Sequence, residues 1–290
     1  MFTAKPHPLL VPYDGSFDVR AAATTPAQHG KGNRWKKLLE PEAKALADAQ
    51  YRLFADNRYA VLLVFQALDA AGKDSTIRHV FSGVNPCGLH VTAFKQPSRH
   101  ELAHDFLWRT TAHLPERGSV AIFSRSYYEE ALVVRVHPEL LAAQRLPPPR
   151  SASFWDDRLR AIRDHERHLA EQGTVILKFW LNISRDEQRK QLLERIDEPK
   201  KNWKFNAGDL DERARWDDYL AAYEQCLNAT SRPWAPWYAV PADDKHYLRV
   251  QVAKIVNEAF ESLGLDFPRP DAAAKAALAA AKARLLAERD

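Results

Sequence analysis

Short apolar runs alternate with longer amphipathic stretches along this chain. Val61-Leu62-Leu63-Val64-Phe65 is apolar at every position and too short for a helix. A strand buried on both faces of a parallel sheet has this pattern. Similar runs follow at 91–94, 120–123 and 174–180, and a weaker one at 237–240. Helical periodicity and capping residues predict helices over 40–57, with Pro41 near the first turn, and from Ser98 to about 113. Further helices are predicted from Ser126 to about 136, over 153–171, over 184–196 and from about 210 to 229. Strands alternating with helices argue for an α/β fold, a parallel sheet covered on both faces.

The flanks differ from this centre. Residues 1–34 contain Pro6, Pro8, Pro12 and Pro26, which predict an irregular arm. Pro147-Pro148-Pro149 predicts a rigid surface connector. The Ala-rich segment 266–290 predicts a helix outside the fold. One domain over 35–265 is expected between them.

Composition narrows the class. The chain has 290 residues, 46% hydrophobic and 28% charged, which is globular. No run of 18 apolar residues predicts a membrane span, and the N-terminal stretch lacks the apolar core of a signal peptide. Cys87 and Cys226 are too few for a disulfide framework or a metal cluster, which suits a cytoplasmic protein. The net charge of +4 names no partner, but its distribution is informative. Lys31, Arg34, Lys36 and Lys37 crowd one segment, and Arg195, Lys200, Lys201 and Lys204 another. Either run alone reads as a solvated face; together, flanking a phosphate-loop candidate, they favour a polyanionic ligand.

That candidate is Gln66-Ala67-Leu68-Asp69-Ala70-Ala71-Gly72-Lys73-Asp74-Ser75-Thr76, directly after the first strand. Backbone N–H groups in a strand–loop–helix turn converge on one point and attract phosphate. Small Ala70, Ala71 and Gly72 permit close approach, and Lys73 adds a full charge. The match to G-x-x-x-x-G-K-S/T is imperfect. Ala67 stands at the first Gly, and Asp74 stands where a Mg²⁺-binding hydroxyl belongs. A ligand-free surface turn is the alternative. Asp69 would repel phosphate unless a cation lay between them, so it reads as a Mg²⁺ ligand or, alternatively, as a helix cap.

Two further segments join it. Ser124-Arg125-Ser126-Tyr127-Tyr128-Glu129-Glu130 follows the third strand, at the carboxyl edge where parallel sheets bind ligands. Arg125 offers a planar fork to phosphate, or else forms a surface ion pair. Ser124 occupies the place of a Mg²⁺-organising Asp. The polar helix 184–196 and the loop to Phe205 read as a mobile cationic lid over about 184–209, or as an exposed salt-bridged helix.

These segments together resemble the polyphosphate kinase 2 family. The similarity is carried by QALDAAGKDSTIRHVFSGVNP, FKQPSRHELAHDFLWR, IFSRSYYEEALVVRVHPE, the lid-like segment 183–224, and APWYAVPADDKHY. It covers roughly residues 30 to 265 and looks most like the branch called class III, associated with phosphorylating nucleoside mono- and diphosphates. The resemblance implies a three-layer α/β/α P-loop kinase core of the thymidylate-kinase-like kind with a helical lid. It also implies Mg²⁺ and a homo-oligomer, often a tetramer. Polyphosphate and nucleotides (AMP, ADP, ATP, guanine nucleotides included) are the implied substrates, with no nucleic acid or membrane partner. It implies catalytic roles for Asp69, Lys73 and Arg125. Phosphate binding falls to residues 70–75, Ala70, Ala71, Gly72, Lys73, Asp74 and Ser75, and to Arg185, Arg189, Lys200 and Lys204. Lys95, Arg125, Tyr128, Glu129 and Glu130 would line the acceptor side, and Asp69 and Ser124 would face the metal. Ala67, Ser124 and Glu130 depart from the family pattern. Two other classes remain open at this stage: an ATP-dependent small-molecule kinase and a catalytically weak polyanion binder.

Overall fold

The fully apolar runs become the interior of a sheet. A computed structural model describes residues 1–27, 32–147 and 151–288; Lys31, Pro148 and Pro149 lie outside the described residues. Among those described, five strands, β1 (Ala60–Gln66), β2 (Leu89–Ala93), β3 (Val120–Ser124), β4 (Thr174–Asn182) and β5 (Trp237–Pro241), form one sheet. All pairings are parallel and the order is β2-β3-β1-β4-β5. β1 is central, buried at all seven positions. Its residues alternate between two cores. Val61, Leu63 and Phe65 join α1 (Gly32–Asp56), α2 (Lys73–Val80) and α9 (Lys245–Ser262) on one face. Leu62 and Val64 join α4 (Val133–Val136), α5 (Phe154–Glu171) and α8 (Trp216–Thr230) on the other. Three layers result, and burial on both faces explains why the run has no polar alternation.

Several helices differ from the sequence expectation. α1 begins at Gly32, not Glu40, so Pro41 lies inside it. Pro41 is exposed, and water can take the carbonyl its missing N–H leaves. Trp35, Leu46 and Leu53 bury the opposite side. The helix expected over 98–113 is only a 3₁₀ turn at Glu101–Ala103 and α3 (Trp108–Thr111). Ser98 and Glu101 do make a reciprocal capping box, at 3.2 and 2.6 Å. Asp105 then interrupts, its carboxylate accepting from the Leu107 N–H at 3.0 Å. Likewise 126–136 is a 3₁₀ turn at Tyr127–Glu130 followed by α4, and 210–229 divides at Arg215 into α7 (Gly208–Ala214) and α8.

α6 (Arg185–Asp197) starts where expected, with Ser184 accepting from the Glu187 N–H at 3.1 Å. α9 was not anticipated. It is a core helix opened by Asp244, whose carboxylate accepts from the N–H groups of His246 and Tyr247. The N-terminal arm is irregular but anchored. Val11 donates its N–H to Trp237 and Leu9 accepts from Ala239, which covers the outer edge of β5. α10 (Ala272–Ala287) is exposed throughout its length. No helix among the described residues is long and apolar enough to cross a membrane.

Candidate active site

β1 and β3 are neighbours, with Phe65 paired to Ser124, so the loops leaving their carboxyl ends stand side by side. The first loop turns on Gly72, whose φ of 89° suits glycine. Ala70 and Arg125 also lie in the left-handed region, at φ 66° and 63°. Non-glycine residues there carry strain that the surroundings must hold, and such strain clusters at functional sites. For Arg125 the hold is its own N–H on the Phe65 carbonyl at 3.0 Å. Ala67 is not left-handed, so the missing glycine has no torsional cost there. The Lys73 ammonium arches back over the loop onto the Ala67 carbonyl at 2.9 Å. Burial and then Arg125 push its pKa below the usual lysine value, opposed by Asp69, Glu129 and Asp74.

Arg125 organises the second loop. It donates to Asp69 at 2.8 Å and to Glu129 at 3.4 Å. Glu129 also accepts from Gln66 Nε2 at 2.7 Å. Glu129, and behind it Asp69, push the Arg125 pKa upward against the opposing effect of burial. The guanidinium is therefore a fixed positive charge.

Two cavities meet here. The larger, about 900 Å³, lies over the first loop, between α6 and the start of α9. Ala70, Ala71, Gly72, Lys73, Asp74 and Ser75 all line it, as do Lys190, Lys201 and Lys204. The smaller, about 500 Å³, has apolar walls that include Leu132, Val133, Leu140, Trp216 and Tyr219. Asp69, Phe94, Lys95, Gln96 and Arg125 line both. One cavity is thus a cationic trough suited to a chain of phosphates. The other suits a flat, partly apolar molecule, and a mobile phosphoryl group could pass between them beside Asp69 and Arg125.

Most of the candidate site residues line one or both cavities; Tyr128, Arg185, Arg189 and Lys200 do not, and neither do Arg34, Lys36 and Lys37 of the first basic run. Tyr128 is fully buried, and its hydroxyl donates to Glu166 at 2.9 Å, behind the site. It does not line the smaller cavity, because the 3₁₀ turn after Ser126 points it into the core. Arg185, Arg189 and Lys200 are exposed and outside both linings. For Arg185 and Arg189 the reason is helical phase, and Lys200 lies in the turn beyond the end of α6. Glu187, Lys190, Gln191 and Glu194 form the face of α6 turned to the trough, at spacings of three and four. Glu130 does line the smaller cavity but is 6% exposed, its carboxylate held by Arg158 at 2.9 Å and Gln144 at 2.6 Å. Ser124 is likewise buried and spends its hydroxyl proton on Asp74 at 3.1 Å.

Other residues at the site escaped notice. Gln188 ties α6 to the loop by donating to the Asp69 carbonyl at 3.0 Å, and Arg213 donates to Gln188 at 2.8 Å. Arg78, Lys245, His246 and Arg249 extend the trough. The sequence did carry a signal for the last three. Asp244 caps a stretch whose Leu248, Val252, Ile255 and Ala259 repeat at helical spacing.

Comparison with known proteins adds independent information. The family model described as polyphosphate kinase 2 matches residues 30–266. An ADP-polyphosphate phosphotransferase of Rhodopseudomonas palustris is 54% identical over 254 residues, 87% of this chain and 88% of that protein. An AMP/ADP-polyphosphate phosphotransferase of Meiothermus ruber is 43% identical, covering 90% and 95%. The crystal structure of polyphosphate kinase 2 from Arthrobacter aurescens superposes with a TM-score of 0.85 at 39% identity, covering 97% of this chain and 98% of that one.

Proposed function

We propose that this chain, which belongs to the polyphosphate kinase 2 family and transfers phosphoryl groups between polyphosphate and nucleotides, does so where its two cavities meet. The observation carrying this assignment is that Asp69, Lys95 and Arg125 line both cavities at once. Polyphosphate lies in the cationic trough, and the nucleotide lies in the smaller cavity with its terminal phosphate toward Arg125. A phosphate oxygen of the nucleotide attacks the terminal phosphorus of the donor. The bond to the bridging oxygen breaks, and polyphosphate leaves one unit shorter. Little covalent chemistry is asked of the protein, so positioning and charge placement carry the rate. Lys73 and the loop N–H groups hold the transferring group, and Arg125 takes charge from both partners as it builds up.

Mg²⁺ fits this donor set. It binds through one or two carboxylates plus phosphate oxygens and water. Among the described residues no group of three metal-ligating side chains exists, so the protein alone makes no cage. Asp69, with Asp74 oriented by Ser124, would hold the ion, which would neutralise charge on the bridging and terminal phosphate oxygens. Both AMP and ADP serve as acceptors in this proposal, a breadth matching the name of the Meiothermus relative. The chain works in the cytoplasm, in keeping with its two free thiols, and forms a homo-oligomer. Support for assembly is the exposed Val91 on edge strand β2. The test is chromatography of nucleotides after incubation with polyphosphate, Mg²⁺ and either AMP or ADP. Formation of ADP and ATP is expected. Conversion only when ATP replaces polyphosphate would overturn the assignment.

A further inference from the structure

The trough continues past the phosphate loop to a corner between α2 and α9, where the transfer chemistry leaves several charges unused. Arg78 stands five residues beyond Lys73 on α2, about 7.5 Å farther along the helix axis at ~1.5 Å per residue. Arg249, one turn into α9, lines the same trough as Arg78, and its pKa is lowered by burial and then by the Arg78 charge. Arg249 is only 7% exposed, and its Nε is buried without a hydrogen-bond partner. His246 also lines the trough, and burial, then Arg249 and Lys36, lower its pKa, with Asp244 opposing.

Carboxylates also line the trough, but each is already engaged. Asp244 caps α9, Asp243 accepts from the Ser184 N–H, Glu194 holds Lys201, and Glu187 holds Lys190 and Gln191. Among the described residues neither Arg78 nor Arg249 has a carboxylate partner. Two guanidinium groups on one cavity wall without a carboxylate between them repel each other, and an anion that joins them relieves this. A phosphate in the trough can accept from the terminal nitrogens of both guanidinium groups.

We propose that Arg78, His246 and Arg249 form a distal phosphate subsite, which grips the donor several units away from the phosphoryl group being transferred. The subsite rests on polyphosphate being the donor. It makes the enzyme a reader of chain length. A long chain fills both the loop at Lys73 and the corner, whereas tripolyphosphate held at the loop can offer the corner no more than its last unit. Donor affinity therefore grows with chain length until the corner is filled and then levels off.

Arg249→Gln and Arg78→Gln each remove one fork. Titration calorimetry with long-chain polyphosphate should show affinity about tenfold weaker in each variant, the scale of one charge-assisted hydrogen bond. Affinity for tripolyphosphate should fall by much less, and the KM values for the two donors in ADP phosphorylation should diverge in the same way. Arg78 is exposed, so its variant keeps the fold even if Arg249→Gln does not, and melting curves report which case applies. Equal losses for both donors, or no loss for either, in a folded Arg78→Gln protein would overturn the subsite. Failure of the parent enzyme to use polyphosphate at all would instead strike the functional assignment on which the subsite rests.

Discussion

Arg125 combines an unfavourable backbone with two carboxylate partners, and the combination fixes one guanidinium between two cavities. Lys73 and Asp69 flank it from the neighbouring loop. None of the three is needed to fill the core, so their removal should affect rate far more than folding. Lys73→Ala or Asp69→Asn should each lower kcat by about 10²-fold or more, the usual cost of losing one transition-state charge contact. Melting temperature should shift little; turnover near the parent's would remove that residue from the site. These residues were legible in the sequence because a loop after an apolar strand has few reasons to hold Gly, Lys and Asp together. Tyr128 was misassigned for an equally local reason. Sequence spacing gives no direction to a 3₁₀ turn, and the core carboxylate that captures its hydroxyl, Glu166, is 38 residues away. Ser124 and Glu130 were noticed as departures from a pattern, but their partners Asp74 and Arg158 only become neighbours once the sheet forms.

Helix α6 is an element whose two faces do different things. Gln188 latches it to the Asp69 carbonyl, and Lys190 and Gln191 are turned toward the trough. The segment was legible as a polar helix with a capping Ser184, but its phase was not. Which arginines face a ligand depends on where the preceding strand delivers the chain. Lys190→Ala and Lys204→Ala should raise the KM for polyphosphate and flatten its dependence on salt, since fewer counterions are displaced on binding. Arg185→Ala and Arg189→Ala should do so less. KM measured from low to high salt decides this, and equal slopes for all four variants would contradict the assigned faces. The false helix over 98–113 carries a related lesson. A capping box shows where a helix can start, whereas its length was set here by Asp105 and by the surface position of the segment.

At the scale of the whole molecule, a buried charge cluster joins the layers beneath the site. Lys178 of β4 is fully buried and donates to Glu166 of α5 at 2.6 Å, to Tyr128 at 2.9 Å and to the Thr230 carbonyl of α8 at 2.9 Å. Burial pulls its pKa down to about 8, with Glu166 acting in the opposite direction. Removing one partner strands the other in the core. Lys178→Met should therefore cost about 3–5 kcal/mol, and Lys178→Met combined with Glu166→Gln clearly less. Denaturant titration of both checks this, and an equal or larger loss in the double variant would contradict a stranded Glu166 charge. The three-layer fold was visible from periodicity alone, because doubly buried strands cannot alternate. The proposed division of labour between the cavities was not, since the cavities are built from loops far apart in sequence. Steady-state kinetics of ADP phosphorylation, varying both substrates, tests that division most directly on Lys190→Ala, Leu140→Trp and Arg125→Ala. Lys190→Ala should raise the KM for polyphosphate alone, Leu140→Trp the KM for ADP alone, and Arg125→Ala should lower kcat. If both KM values moved together in Lys190→Ala and in Leu140→Trp, donor and acceptor would not occupy separate cavities.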